Sequence, residues 1–252
     1  MSFGNRRIHY FHADATAIGG HLERPFAKII PVQSPVALSP SGGAYEASTP
    51  NFEFEKIISA SATRARVEGT FLGGLATTRM TAVVENLNVL DVVRAEELVA
   101  YIATEHPGEG PDVPRVDFGR TSITGLRLGD SIVKVHLNLS ILSDGNGKRF
   151  PKKPHLQDKA IWKNADQKFN PDKGILICTL VEDIEVIRGK LPGKRIATNA
   201  VEIPNFGQVY LAELLVSGNS YELIMMRLEL GCTNVGSTSI SAGKVNGNGG
   251  GG

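Results

Sequence analysis

Phe52-Glu-Phe-Glu-Lys-Ile-Ile-Ser-Ala-Ser-Ala-Thr-Arg-Ala-Arg-Val-Glu-Gly-Thr-Phe-Leu72 carries the reading of the fold class. Ile57, Ser59, Ser61, Thr63, Ala65 and Val67 fall on one side of an extended chain, and Arg64, Arg66 and Glu68 on the other. A period of two, built from small and β-branched residues, predicts a strand with one face toward a core. Gly73-Gly74 then supplies a turn and Thr77 to Val84 a second strand, so the two form an antiparallel pair.

Further along, Val93 to Glu105 holds enough good helix formers for a helix. An internal comparison favours a strand. Val84-Glu-Asn-Leu-Asn-Val89 and Ile123-Thr-Gly-Leu-Arg-Leu128 share the order aliphatic, any, Asn or Gly, Leu, any, aliphatic. The second leads into Ser131 to Leu139, which alternates as a strand. By equivalence Leu98 to Thr104 is a strand and Arg94 to Glu97 its preceding turn. Strand character recurs at Ile175 to Ile187 and at Gln208 to Val216. After a two-residue Gly218-Asn219 loop it resumes at Tyr221 to Leu230, with apolar residues on both faces as in a central or interface strand.

These runs predict an all-β sandwich or barrel of mostly antiparallel strands, with residues 1–245 as a single domain. Residues 144–173 read as a long basic insertion, with eight Lys or Arg against four Asp, projecting from one end. Asn246 to Gly252 is too poor in apolar residues to order itself and reads as a disordered tail.

With 27 Lys and Arg against 26 Asp and Glu, the net charge of +1 excludes a global field drawing the chain to nucleic acid or acidic membranes. No segment approaches the roughly 18 consecutive apolar residues of a membrane-spanning helix, and His9, His12 and Asp14 interrupt the start where a signal peptide needs an apolar run. The expectation is a cytoplasmic protein without membrane insertion. Cys178 and Cys232 exclude a disulfide scaffold; they read as two buried thiols or as a single bridge.

At Gly19-Gly-His-Leu-Glu-Arg-Pro-Phe26, at Ile29-Ile-Pro-Val-Gln33 and at Glu85-Asn-Leu-Asn-Val-Leu-Asp-Val-Val-Arg-Ala95, the sequence resembles a group of uncharacterised bacterial proteins of similar length. The resemblance implies a bacterial source, and its motifs are packing and turn patterns that bring no functional residues with them.

Two patterns could carry chemistry. A hairpin through the Gly19-Gly20 turn would bring His12, Asp14, His21 and Glu23 together, a donor set suited to a divalent metal and hence to a metal-dependent enzyme. In the insertion, Lys152, Lys153, Lys159 and Lys163 surround Trp162, a set able to hold a polyanion or other anion. No nucleophile elbow, Walker loop or dinucleotide-binding glycine motif is present. The leading reading is therefore a non-catalytic binding or structural module, with no cofactor expected. It would engage a protein partner or self-associate, as a subunit of an assembly.

Overall fold

In the computed structural model, which describes residues 8–24, 27–108, 113–143, 150–158, 168–170, 174–231 and 235–250, the alternating runs become two antiparallel sheets stacked as a sandwich. The first sheet contains β1 (Ile8–Arg24), β2 (Lys28–Gln33), β3 (Val36–Ala37), β12 (Lys168–Asn170), β13 (Ile175–Thr179), β15 (Lys194–Ala197), β16 (Ala200–Ile203), β17 (Gly207–Ser217), β18 (Ser220–Leu230) and β19 (Val235–Gly250). The second contains β4 (Gly43–Phe54), β5 (Ile58–Leu72), β6 (Leu75–Val89), β7 (Val93–Pro107), β8 (Arg115–Asp117), β9 (Ser122–Thr124), β10 (Arg127–Leu128), β11 (Ser131–Leu137) and β14 (Val181–Arg188). The expected all-β sandwich is the architecture found, and the sheets do not close into a barrel. Among the described residues no helix is long and apolar enough to cross a membrane.

Both predicted tight hairpins form. Leu72 pairs with Leu75 across Gly73-Gly74, and Ser217 pairs with Ser220 across Gly218-Asn219. Val93 to Glu105 is strand, as the internal comparison favours, but the turn lies one step earlier than predicted, at Leu90-Asp91-Val92, and Arg94 to Glu97 is already strand. Residues 52–72 are likewise not one strand: Glu55 and Lys56 adopt φ of 52° and 54°, a turn that separates the end of β4 from β5. The run from Ile175 to Ile187 is split too, because the chain bends at the buried Leu180 and passes from the first sheet into the second.

The predicted inward face of β5 holds only from Thr63 onward, for a related reason. Ile58 and Ala60 point inward, and after a change of phase so do Thr63, Ala65 and Val67. The same switch occurs on β6, from Met80, Ala82 and Val84 to Leu87 and Val89, and on β7, from Val93 and Ala95 to Leu98, Ala100 and Ile102. Pairing register aligns the switch points across the sheet, with Asn51 opposite Ser61, Asn86 opposite Glu96, and Glu96 opposite Gly125. Asn51, Asn86 and Gly125 have φ of 50°, 49° and 62°. A left-handed residue breaks the alternation of side chains, so a line of them bends the whole sheet and swaps its faces. The Asn-or-Gly position shared by the two internal segments is this left-handed residue.

The first sheet bends along a corresponding line, where Ala212, Ser241 and Ser34 have φ of 46°, 53° and 51°. Here the hydroxyls of the strained residues reach the opposite sheet. Ser241 Oγ donates to the Ala82 carbonyl at 2.7 Å and accepts from the Ala100 N–H at 2.9 Å, and Ser34 Oγ lies 2.7 Å from the Thr63 hydroxyl. Residues 246–250, expected as part of a disordered tail, extend β19 and pair with β1, Ile8 facing Gly250. Backbone pairing with β1 supplies the ordering contribution along this segment.

Candidate functional site

The metal reading requires a hairpin at Gly19-Gly20, and β1 instead runs straight through it as one 17-residue strand. Gly20 pairs with Thr238, and a Cβ there would lie 2.3 Å from the Ser237 carbonyl, so the glycine serves close packing against β19 rather than a turn. His12 lies 3.8 Å from Asp14 and His21 lies 3.4 Å from Glu23, each an exposed i,i+2 pair. The two pairs are offset along the strand by nine residues, about 30 Å of extended chain. Among the described residues no three His, Cys, Asp or Glu side chains converge as metal ligands.

Of the proposed anion-binding residues, Lys152 and Lys153 are exposed, while Lys159, Trp162 and Lys163 lie outside the described residues. The described part of the insertion does not simply project. His155 is buried, with its Nδ1 2.7 Å from the Tyr221 hydroxyl, and Lys168 to Asn170 pair with β13. Cys178 is free and buried, and burial pushes its thiol up to about 12. Cys232 lies outside the described residues.

Where the insertion leaves the sandwich, a cleft of about 660 Å³ opens on the outer face of the second sheet. Its floor is built by strand periodicity. Tyr101, Ala103 and Glu105 alternate outward on β7, Arg79 extends the row on β6 and Glu68 on β5, as the pairs Arg79 with Ala103 and Glu68 with Arg79 require. One wall is the segment 115–120, pinned by the buried Val116 and Phe118. Thr121 fixes this wall to the floor: its hydroxyl donates to the Tyr101 carbonyl at 2.9 Å. The other wall is Leu139, Ser140 and Ser143, held by the buried Leu142 and by the Ser143 N–H donating to the Ser140 carbonyl at 2.9 Å.

Charge inside the cleft is nearly all engaged. Arg115 pairs with Glu105 and stacks over Phe150 of the insertion at 5.4 Å. Arg79 and Arg66 share Glu68, each at 3.5 Å. Asp117 accepts the Gly119 N–H at 2.8 Å, a local turn contact. Arg120 differs: its guanidinium lies 5.4 Å from the centre of the Tyr101 ring, and among the described residues no carboxylate pairs with it. Burial raises the pKa of Tyr101, and Asp117 adds to this, against Arg120 and Arg79. The phenol therefore stays neutral, with Arg79 hydrogen-bonded to it and Arg120 over its ring.

Two other depressions lack such an open group. A groove of about 450 Å³ across β4 to β6 contains Arg64 and Arg66, which pair with Glu85 and Glu46. On the first sheet, Arg227 is saturated by Glu213, at 2.6 Å, by Glu229 and by the Tyr210 ring at 3.8 Å. Sequence reading missed the Tyr101 cleft because Glu68, Arg79, Tyr101, Arg120 and Ser140 share no motif; only strand register and two loops join them. The signal available was the outward row of Arg and Glu on consecutive strands.

A family model described as Domain of unknown function (DUF8256) matches residues 9–168 and 152–217, a span that includes every residue lining the cleft. No curated protein and no solved structure matches the chain.

Proposed function

Since the chain belongs to the family described as Domain of unknown function (DUF8256), we propose that it is a non-catalytic binding module that holds a small polar ligand in the cleft beside Tyr101. The observation that carries this reading is Arg120, an exposed guanidinium stacked on a nearly buried tyrosine with no carboxylate partner among the described residues. A cleft of about 660 Å³ is in the range of small-molecule sites, which combine apolar walls with a few convergent polar groups. Val116 and Leu139 on the walls and Ala103 on the floor supply the apolar lining. The non-catalytic part of the reading is supported by the state of the possible nucleophiles: the Cys178 thiol is held protonated, and the carboxylates of the cleft are engaged by Arg or backbone N–H groups rather than poised beside a nucleophile.

Thermal unfolding of the full chain against a panel of polar metabolites tests it. A ligand present at about 100 times its Kd stabilises the native state by about 2.7 kcal/mol, a rise of roughly 5–10 °C in Tm for a chain of this size. That rise is expected to disappear in Arg120→Ala. A ligand whose effect is the same in wild type and Arg120→Ala binds elsewhere and contradicts the reading.

A further inference from the structure

We propose that the ligand of this cleft is a small organic molecule bearing one oxyanion head group, a carboxylate or a phosphate monoester, gripped by Arg120 and Arg79 with the Tyr101 hydroxyl between them. The inference rests on the cleft being the binding site and adds the chemical class of what enters it. Three features support the class. The polar groups still able to make new bonds are mostly donors: the Arg120 guanidinium, the N–H groups of Arg79 not directed at Glu68, and the neutral Tyr101 hydroxyl, since the Ser140 and Ser143 hydroxyls already donate to Asn138 Oδ1 and to the Ser140 carbonyl. A planar guanidinium presents a fork matched to two oxygens of one head group, and charge-assisted bonds of this kind are the strong ones. Stacking on Tyr101 limits the rotation of the Arg120 guanidinium, so part of the ordering cost of binding is already met.

The same lining argues against a polyanion. Arg79, Arg115 and Arg120 are balanced by Glu68, Glu105 and Asp117, so the cleft as a whole carries no excess positive charge, and a second or third anionic group would lie against Glu105 or Asp117. Polyanion binding also needs a run of cations along a surface, each releasing a counterion. The volume, about 660 Å³, exceeds what a head group alone fills, which leaves room for an organic body against Leu139, Val116 and Ala103.

The test is a titration of the isotope-labelled full chain, followed by nuclear magnetic resonance, with methyl phosphate, acetate, glucose and a heparin oligosaccharide. Wild type is compared with Arg120→Ala, Arg120→Lys and the double variant Lys152→Ala, Lys153→Ala. Arg120 is exposed, so its variants are expected to fold as wild type does. Methyl phosphate or acetate is expected to shift the amide signals of Tyr101, Arg120 and Ser140, and whichever shifts them more strongly identifies the head group. Arg120→Ala should weaken that binding about 10- to 100-fold, the loss expected for hydrogen bonds to a charged group. Arg120→Lys should recover only part, and the double lysine variant should bind as wild type does. Glucose shifting these signals equally in wild type and Arg120→Ala would overturn the oxyanion class while leaving the cleft as the site. Heparin binding that falls steeply with salt and is lost in the lysine variant would instead assign the anion to the insertion and overturn the inference. No shift at the cleft with any probe would remove both the class and the site.

Discussion

At the scale of single residues, the fold depends on polar groups placed where strands depart from regularity. Ser241 is fully buried, and its hydroxyl is the partner of both the Ala82 carbonyl and the Ala100 N–H on the facing sheet. Ser241→Ala leaves two buried backbone groups without that bond, and chemical denaturation should show a loss of about 1–3 kcal/mol. His106 gives a pH dependence. It is 4% exposed, and burial, reinforced by His9 whose ring centre is 5.0 Å away, lowers its pKa from 6.5 to about 4. The native state therefore binds a proton less readily than the unfolded chain. Stability contributed by the neutral ring is complete above about pH 6.5 and falls as pH drops toward 4, by roughly 3 kcal/mol in total. Denaturant midpoints measured between pH 7 and 4 should show this slope for wild type and a shallower one for His106→Gln.

None of this was legible in the sequence, because a buried serine or histidine reads the same as an exposed one until the facing strand is known. Arg120 and Tyr101 were invisible as a pair for the same reason. What places them together is the contact of Thr121 with the Tyr101 backbone, 20 residues apart in the chain.

At the scale of elements, alternation identified the strands, and turn chemistry identified two hairpins to the residue. Alternation did not find the bends, since it presumes that a strand keeps one face inward. Asn86 shows what the bend requires. At φ of 49° it occupies a region that costs an ordinary L-residue about 1–2 kcal/mol, and its Nδ2 compensates in part by donating to Ser61 Oγ at 2.9 Å. Asn86→Gly should change stability by less than about 1 kcal/mol, whereas Asn86→Val should cost more than about 2 kcal/mol. Equal losses in the two, measured by urea unfolding, would show that the backbone conformation is not what selects Asn. A glycine can also mislead. Gly19-Gly20 has the composition of a turn and lies in the middle of a strand, because the strand beside it comes too close for a side chain.

At the scale of the whole molecule, the all-β class follows from composition and periodicity, but the choice of sandwich over barrel and the location of the site do not. The strand row Glu68, Arg79 and Tyr101 becomes a cleft only because two segments fold over it, and both are held by buried residues, Phe118 and Leu142, that lie outside every strand named from the sequence. The basic insertion was legible as an unusual stretch. Its role in this account is different from the one its charge suggests, since Phe150 stacks under Arg115 and His155 anchors it on Tyr221. His155→Ala removes the partner of a buried phenol and should lower the unfolding free energy read from denaturant titration by about 1–3 kcal/mol, without altering ligand affinity at the cleft.

Whether the cleft beside Tyr101 holds a small ligand through Arg120 is tested by native mass spectrometry of the full chain, purified under mild conditions alongside Arg120→Ala. A small-molecule mass excess on the wild-type chain that is lost in the variant is the expected result. The same excess on both proteins would contradict it.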